Sequence, residues 1–201
     1  LAVAFTAPHW KKEHAVPPPT ELLDRRQQDL ARKLAWSAMT TCIRKKRTLR
    51  PEDIGCRPRG PLLEQRGCFV TFKSQGRLRG GIGSIEATRP LWEELIRRAI
   101  HAATQDPRFP PVTAGEIGEL EMEISVLTPL REVESWREIV AGRDGILLKK
   151  GMDQAVFLPQ VAREQKWDLE TTLTHLAVKA GLSRDAWREG CRWFVFQAQV
   201  F

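Results

Sequence analysis

Three glycines within four positions, in Leu78-Arg79-Gly80-Gly81-Ile82-Gly83-Ser84, interrupt what otherwise reads as a β-strand. Glycine in a strand interior costs conformational entropy and leaves no side chain to pack. A fold that keeps three of them there needs bare backbone that something else approaches closely. Arg79 sets a planar cation beside that backbone. Two readings follow. In the first, exposed N–H groups and the guanidinium bind an anionic or carbonyl-bearing group. In the second, the strand carries a kink or bulge, and the glycines let it pack tightly on the following helix. The spacing is not the G-x-G-x-x-G dinucleotide fingerprint, and no suitable βαβ unit surrounds it.

The surroundings place the motif on a hairpin. Residues 67–72 read as a strand, Ser74-Gln75-Gly76 as a turn, and residues 77–85 as the returning partner. A helix follows, with Leu91, Trp92, Leu95, Ile96, Ala99, Ile100 and Ala103 on one apolar face and Pro90 in its first turn. An earlier helix is expected from about Glu21 to Arg47, capped by Thr20, with Leu23, Leu30, Leu34 and Ala38 at helical spacing. Residues 1–19 read as a tail or linker that Pro17-Pro18-Pro19 ends, leaving 20–201 as one domain. Prolines force Asp106-Pro107-Arg108-Phe109-Pro110-Pro111 into a loop. Residues 119–127 then alternate, with Leu120, Met122, Ile124 and Val126 on one side and Glu119, Glu121, Glu123 and Ser125 on the other.

In the C-terminal third, a short helix is expected over 135–140. Strands are expected at 146–148 and 155–158, and a helix from an Asp168 cap to about Ala180, stopped by Gly181. A closing strand over 193–201 has apolar residues on both faces, as a central, covered strand would. Helices and strands mix without a βαβ repeat, so the expected class is α+β with a mainly antiparallel sheet flanked by helices.

Charge and cysteines narrow the function classes. The whole chain carries +7, yet residues 1–60 hold thirteen Lys/Arg against six Asp/Glu, and the remainder holds nineteen of each. The basic excess therefore belongs to the N-terminal region, densest at Arg44-Lys45-Lys46-Arg47 with Arg50, Arg57 and Arg59 nearby. A non-enzymatic module that binds nucleic acid or an acidic protein partner there is the less favoured reading, because no aromatics interleave with the charge; a solvated helix end is the simpler explanation. Cys42, Cys56, Cys68 and Cys191 form no CxxC pair and the four histidines are scattered, so no metal site is expected. Isolated thiols point to a cytoplasmic protein. No apolar run is long enough to span a membrane, and the opening Leu1-Ala2-Val3-Ala4-Phe5 makes a poor signal peptide. There is no defensible Ser-His-Asp order, and no catalytic residue is assigned.

The order of motifs says more than any one of them. The glycine stretch is followed by Ala102-Ala103, Asp106 to Pro111, Glu121-Met122-Glu123-Ile124-Ser125-Val126-Leu127, Asp144-Gly145-Ile146-Leu147-Leu148, and Val156-Phe157-Leu158-Pro159-Gln160-Val161-Ala162 with Trp167. This series resembles the AMMECR family (AMME-syndrome candidate region), whose prokaryotic members are protein A of the AmmeMemoRadiSam system. The resemblance covers roughly residues 22–201. It implies a two-lobed α+β domain with a cleft between lobes, and a pathway shared with Memo-like and radical SAM proteins. It implies no established activity and no known cofactor. One departure matters. Where the family usually reads Leu-Arg-Gly-Cys-Ile-Gly, this chain has Gly81 in place of the cysteine. That argues against a thiolate nucleophile here; Cys68 on the partner strand reads as a packed core thiol.

The expected ligand site is a cleft for a small, anionic ligand or a partner peptide. It is lined by Arg79, Gly80, Gly81, Ile82, Gly83 and Ser84, by Asp106, Arg108 and Phe109, by Glu123, and by Phe157, Pro159 and Gln160. Asp106 and Arg108 read equally as site charges or as an internal pair that locks the turn, with Phe109 as plug. Glu121 and Glu123 share a strand face that is more simply a solvated one. Pro159 is expected to stop a strand at the lobe boundary, with the Gln160 amide turned into the cleft.

Overall fold

The structure, a computed structural model, describes residues 21–201. The expected tail over 1–19 and the Thr20 cap lie outside the described residues. Helix α1 (Arg25–Lys45) starts later than its apolar spacing suggests. The reason is a reciprocal capping box. The Asp24 carboxylate accepts from the Gln27 N–H at 2.8 Å, and the Gln27 side chain accepts from the Asp24 N–H at 2.8 Å. The Gln199 side chain holds Leu22 and Leu23 just before it, accepting from both N–H groups and donating to the Leu23 carbonyl. The helix ends at Lys46, which adopts a left-handed conformation (φ 53°) and donates its N–H to Cys42 O.

β1 (Cys68–Ser74) and β2 (Arg77–Ser84) form the expected hairpin. Its two turn residues, Gln75 and Gly76, both have positive φ, which matches the right-handed twist of the strands. The pairing runs Ser74–Arg77 and Lys73–Leu78, then jumps to Phe72–Gly80. Arg79 is therefore the extra residue of a β-bulge. Helix α2 (Leu91–Thr104) follows, then β3 (Leu120–Leu127), which pairs with the other side of β1. Cys68, Val70 and Phe72 of β1 and Ile124 and Val126 of β3 face α1 and α2 in one buried core.

The second lobe holds β4 (Arg131–Val133), β5 (Gly145–Lys150), β6 (Asp153–Phe157), helices α3 (Pro159–Gln165) and α4 (Leu169–Lys179), and β7 (Arg192–Phe196). Asp168 caps α4 through the Thr171 N–H, and Gly181 (φ +81°) follows its end. Ile146, Leu148, Trp193 and Val195 pack on Leu173, Leu176, Ala177 and Trp187 in a second core.

Several expectations are corrected. The α+β class and the antiparallel pairing hold, with the strands divided between two four-stranded sheets among the described residues, ordered β2-β1-β3-β8 and β4-β7-β5-β6. The closing strand expected over 193–201 is two strands, β7 and β8 (Ala198–Val200), broken at Gln197 and belonging to different sheets. The break has a physical cause. Thr128 satisfies Gln197 twice, its Oγ1 accepting from the Gln197 N–H at 2.8 Å and its N–H donating to Gln197 O at 2.9 Å. The short helix expected over 135–140 is one 3-10 turn, Trp136–Glu138, capped by Ser135. Pro159 does not merely stop a ladder; it occupies the first position of α3, where its missing N–H is harmless. Leu127, Phe196 and Ala198, with Phe69, Val156 and Leu158 against them, form a third cluster that joins the lobes.

Candidate functional site

Because of the bulge, the three glycines point in different directions. Gly80 faces α2, where an added Cβ would collide with the Ala102 carbonyl oxygen. Gly81 and Gly83 stand opposite Thr71 and Phe69, on the face turned away from the helices. A Cβ at Gly83 would meet the Phe69 ring. Gly81 is different: a Cβ there would make only ordinary contacts, 3.4 Å from Thr71 Oγ1, 3.6 Å from Leu78 Cδ1 and 3.7 Å from Arg108 Nη2.

The loop after α2 clamps β2 at this residue. Asp106, only 4% exposed, accepts the Gly81 N–H through Oδ2 at 2.8 Å. Its Oδ1 accepts from the Arg108 N–H and Nε, and Oδ2 also accepts from Arg108 Nη2 at 2.7 Å. The same Nη2 donates to Gly81 O at 3.1 Å. Carboxylate and guanidinium thus replace the neighbouring strand that an edge residue lacks. Hydrogen bonds from the Arg108 side chain, and then from the Gly81 and Arg108 backbones, hold the Asp106 carboxyl far below the usual carboxylate range. Arg108 lies over the Phe109 ring and leaves about half its side chain in solvent.

Arg79 is committed elsewhere. Its Nε and Nη2 donate to Glu116, and its Nη1 donates to Pro110 O at 2.9 Å. The Arg79 guanidinium, helped by the Thr113 N–H, brings the Glu116 carboxyl down to about 2. Ile82 packs on the first core, and Ser84 Oγ donates to Glu86 O.

The strand face beneath Gly81 continues through Thr71 to Glu123, which are paired in register. Glu123 accepts from Lys73 Nζ at 3.1 Å, an ion pair that raises the lysine pKa. Two residues along β3, on the same face, Ser125 is 2% exposed rather than solvated, because Gln160 at the start of α3 covers it and donates Nε2 to its Oγ at 3.3 Å. The Gln160 Oε1 is buried with no hydrogen-bond partner among the described residues.

Lys179, near the end of α4, donates to Val156 O at 2.9 Å and lies over the Phe157 ring. Crowding of its ammonium group by protein atoms lowers its pKa first, and the charge of Arg108 lowers it further. Phe157 also tilts against Trp167, which stacks on His175 at 4.0 Å.

Of the residues picked from sequence, Gly81, Asp106 and Arg108 form one hydrogen-bonded unit, with Phe109 beneath it and Glu123 across Thr71. Phe157 lies under Lys179 of the other lobe rather than against the unit, while Gln160 meets β3 farther along. Thr71, Lys73, Glu116, Ser125 and Lys179 were not picked. Thr71 could be found only by knowing the bulge, since an unbroken hairpin would pair it with Gly80. Cys68 lies on the helix-facing side of β1, fully buried, and burial pushes its thiol up. Cavities among the described residues also lie outside this junction. One of about 190 Å³ lies between Arg66, Ile85, Leu127 and Leu130, and one of about 350 Å³ lies at the ends of α1 and α2.

The sequence and the fold have counterparts among known proteins. A sequence model of the AMMECR1 family matches residues 32–201. A protein of Methanothermobacter thermautotrophicus is 42% identical over 177 residues, covering 84% of this chain and 90% of its own. Protein MJ0810 of Methanocaldococcus jannaschii is 44% identical over 147 residues, covering 69% and 73%. The crystal structure of uncharacterized protein PH0010 from Pyrococcus horikoshii superposes with a TM-score of 0.81 at 33% identity, covering 89% of this chain and 92% of that one. No helix of the described residues is long and apolar enough to cross a membrane.

Proposed function

The chain belongs to the AMMECR1 family, and we propose that its lobe junction at Gly81 binds a small anionic or carbonyl-bearing ligand. The observation that carries this reading is the room at Gly81, bordered by Thr71 Oγ1 and Arg108 Nη2. Arg108 supplies the charge-assisted donor through Nη1, because its Nη2 already serves Asp106 and Gly81 O, and the Gly81 N–H is likewise taken by Asp106. Lys179 contributes a second cation from the other lobe, lowered in pKa by crowding and by Arg108. A bound anion would relieve that repulsion, so the ligand gains from both lobes at once. The absence of a thiol at Gly81 favours binding over covalent chemistry at this position. In the pathway reading the protein would work alongside Memo-like and radical SAM proteins, which co-purification from native cells would test.

The direct test is an NMR titration with succinate and with inorganic phosphate at fixed ionic strength. Saturable shifts confined to Thr71, Gly81, Arg108 and Lys179 are expected, and Gly81→Val should abolish them while leaving the fold intact. Shifts that never saturate, or that persist unchanged in Gly81→Val, would remove the junction as a site.

A further inference from the structure

The basic N-terminal region has a structural counterpart that the Gly81 site does not use. The groove of about 350 Å³ at the ends of α1 and α2 falls within the size range of small-molecule sites, roughly 300–1,000 Å³. Its floor is apolar: Ile43 and Val112 are buried and Ile100 is half-buried. Its rim is polar, and both charged residues that line it, Lys46 and Arg47, are cations. Arg47 is neutralised by Asp53 at 2.6 Å. Lys46 has no ion-pair partner among the described residues, which leaves one free positive charge above an apolar floor.

Lys46 sits just past the helix end with φ 53°, a conformation that glycine adopts without cost and an L side chain does not. Helix termination alone is served better by glycine there. Lysine there sets a cation at the negative end of the α1 dipole, on the rim of the groove.

We propose that this groove is a second binding site, for an amphipathic carboxylate. A hydrocarbon or aryl body lies on Ile43, Ile100 and Val112, and the carboxylate meets Lys46 Nζ. Charge complementarity selects an anion over a cation, and the apolar floor selects an amphiphile over a bare inorganic ion. The groove shares no residue with the Gly81 junction, so failure here leaves that reading standing.

The test titrates the full chain with decanoate, below its micelle concentration, followed by methyl NMR and calorimetry. Saturable shifts at Ile43, Ile100 and Val112 are expected. Lys46→Gly should weaken binding by about tenfold, the loss expected for one charge-assisted contact, while its melting temperature stays level or rises. Decylammonium, the cationic match, should not saturate. The proposal is overturned if decanoate never saturates, if Lys46→Gly binds it equally well, if decylammonium binds as tightly, or if single-stranded DNA shifts these residues and decanoate does not.

Discussion

Gly80, Gly81 and Gly83 look alike in sequence and differ entirely in what they permit. Gly80 lets a helix carbonyl approach, Gly83 lets an aromatic ring lie flat on the strand, and Gly81 blocks nothing. The two neighbours should therefore respond with opposite signs to the same substitution. Gly80→Ala forces α2 and β2 apart and is expected to cost about 1–3 kcal/mol. Gly81→Ala adds no clash and restricts only the unfolded chain, so it should be neutral or stabilising by about 0.4–1 kcal/mol. Urea denaturation of the two variants checks this, and equal destabilisation would contradict the packing assigned to them. That close approach occurs in this stretch was legible from glycines spaced within a strand. Which glycine faces which partner was not, because the bulge at Arg79 shifts the register by one, and one residue of shift exchanges the two faces of a strand.

Elements with strong local signals came through with small errors. The apolar face of α2 and the Asp168 cap and Gly181 stop of α4 are properties of short windows. Elements defined by partners did not. β7 and β8 read as one strand because the apolar run continues through Gln197, yet Thr128, far off in sequence, captures that residue's backbone and sends the chain into the other sheet. Thr128→Val keeps the shape and removes the acceptor for the Gln197 N–H. A loss of about 1 kcal/mol is expected, with faster hydrogen exchange at Phe201 and unchanged protection at Val195. Equal protection of Phe201 in variant and wild type would show that β8 holds its place without Thr128.

Across the whole molecule, the loop from Asp106 to Glu116 ties α2 to the free edge of β2 through two carboxylates. Both are held below their ordinary range, so their ionised forms favour the folded state. Their contribution is full above about pH 5 and declines as pH falls through the ordinary carboxylate range. It ends only below the folded values, about 2 for Glu116 and lower for Asp106. Thermal melts from pH 7 to pH 2 should show this fall. Asp106→Asn should lower the neutral-pH plateau by on the order of 2 kcal/mol and flatten the acid limb. An unchanged acid limb would mean that Asp106 does not report on folding. By itself the sequence determined the α+β class, the hairpin, the amphipathic helices and the family, because periodicity, turn residues and motif order are local or linear properties. The tertiary structure alone decided the division into two sheets and the strand that leaves one for the other. It also decided the commitment of Arg79 to Glu116, 37 residues away, and the junction of Gly81, Arg108 and Lys179. Each of these depends on contacts between distant residues whose register a single bulge or break can change, and no window of sequence contains both partners.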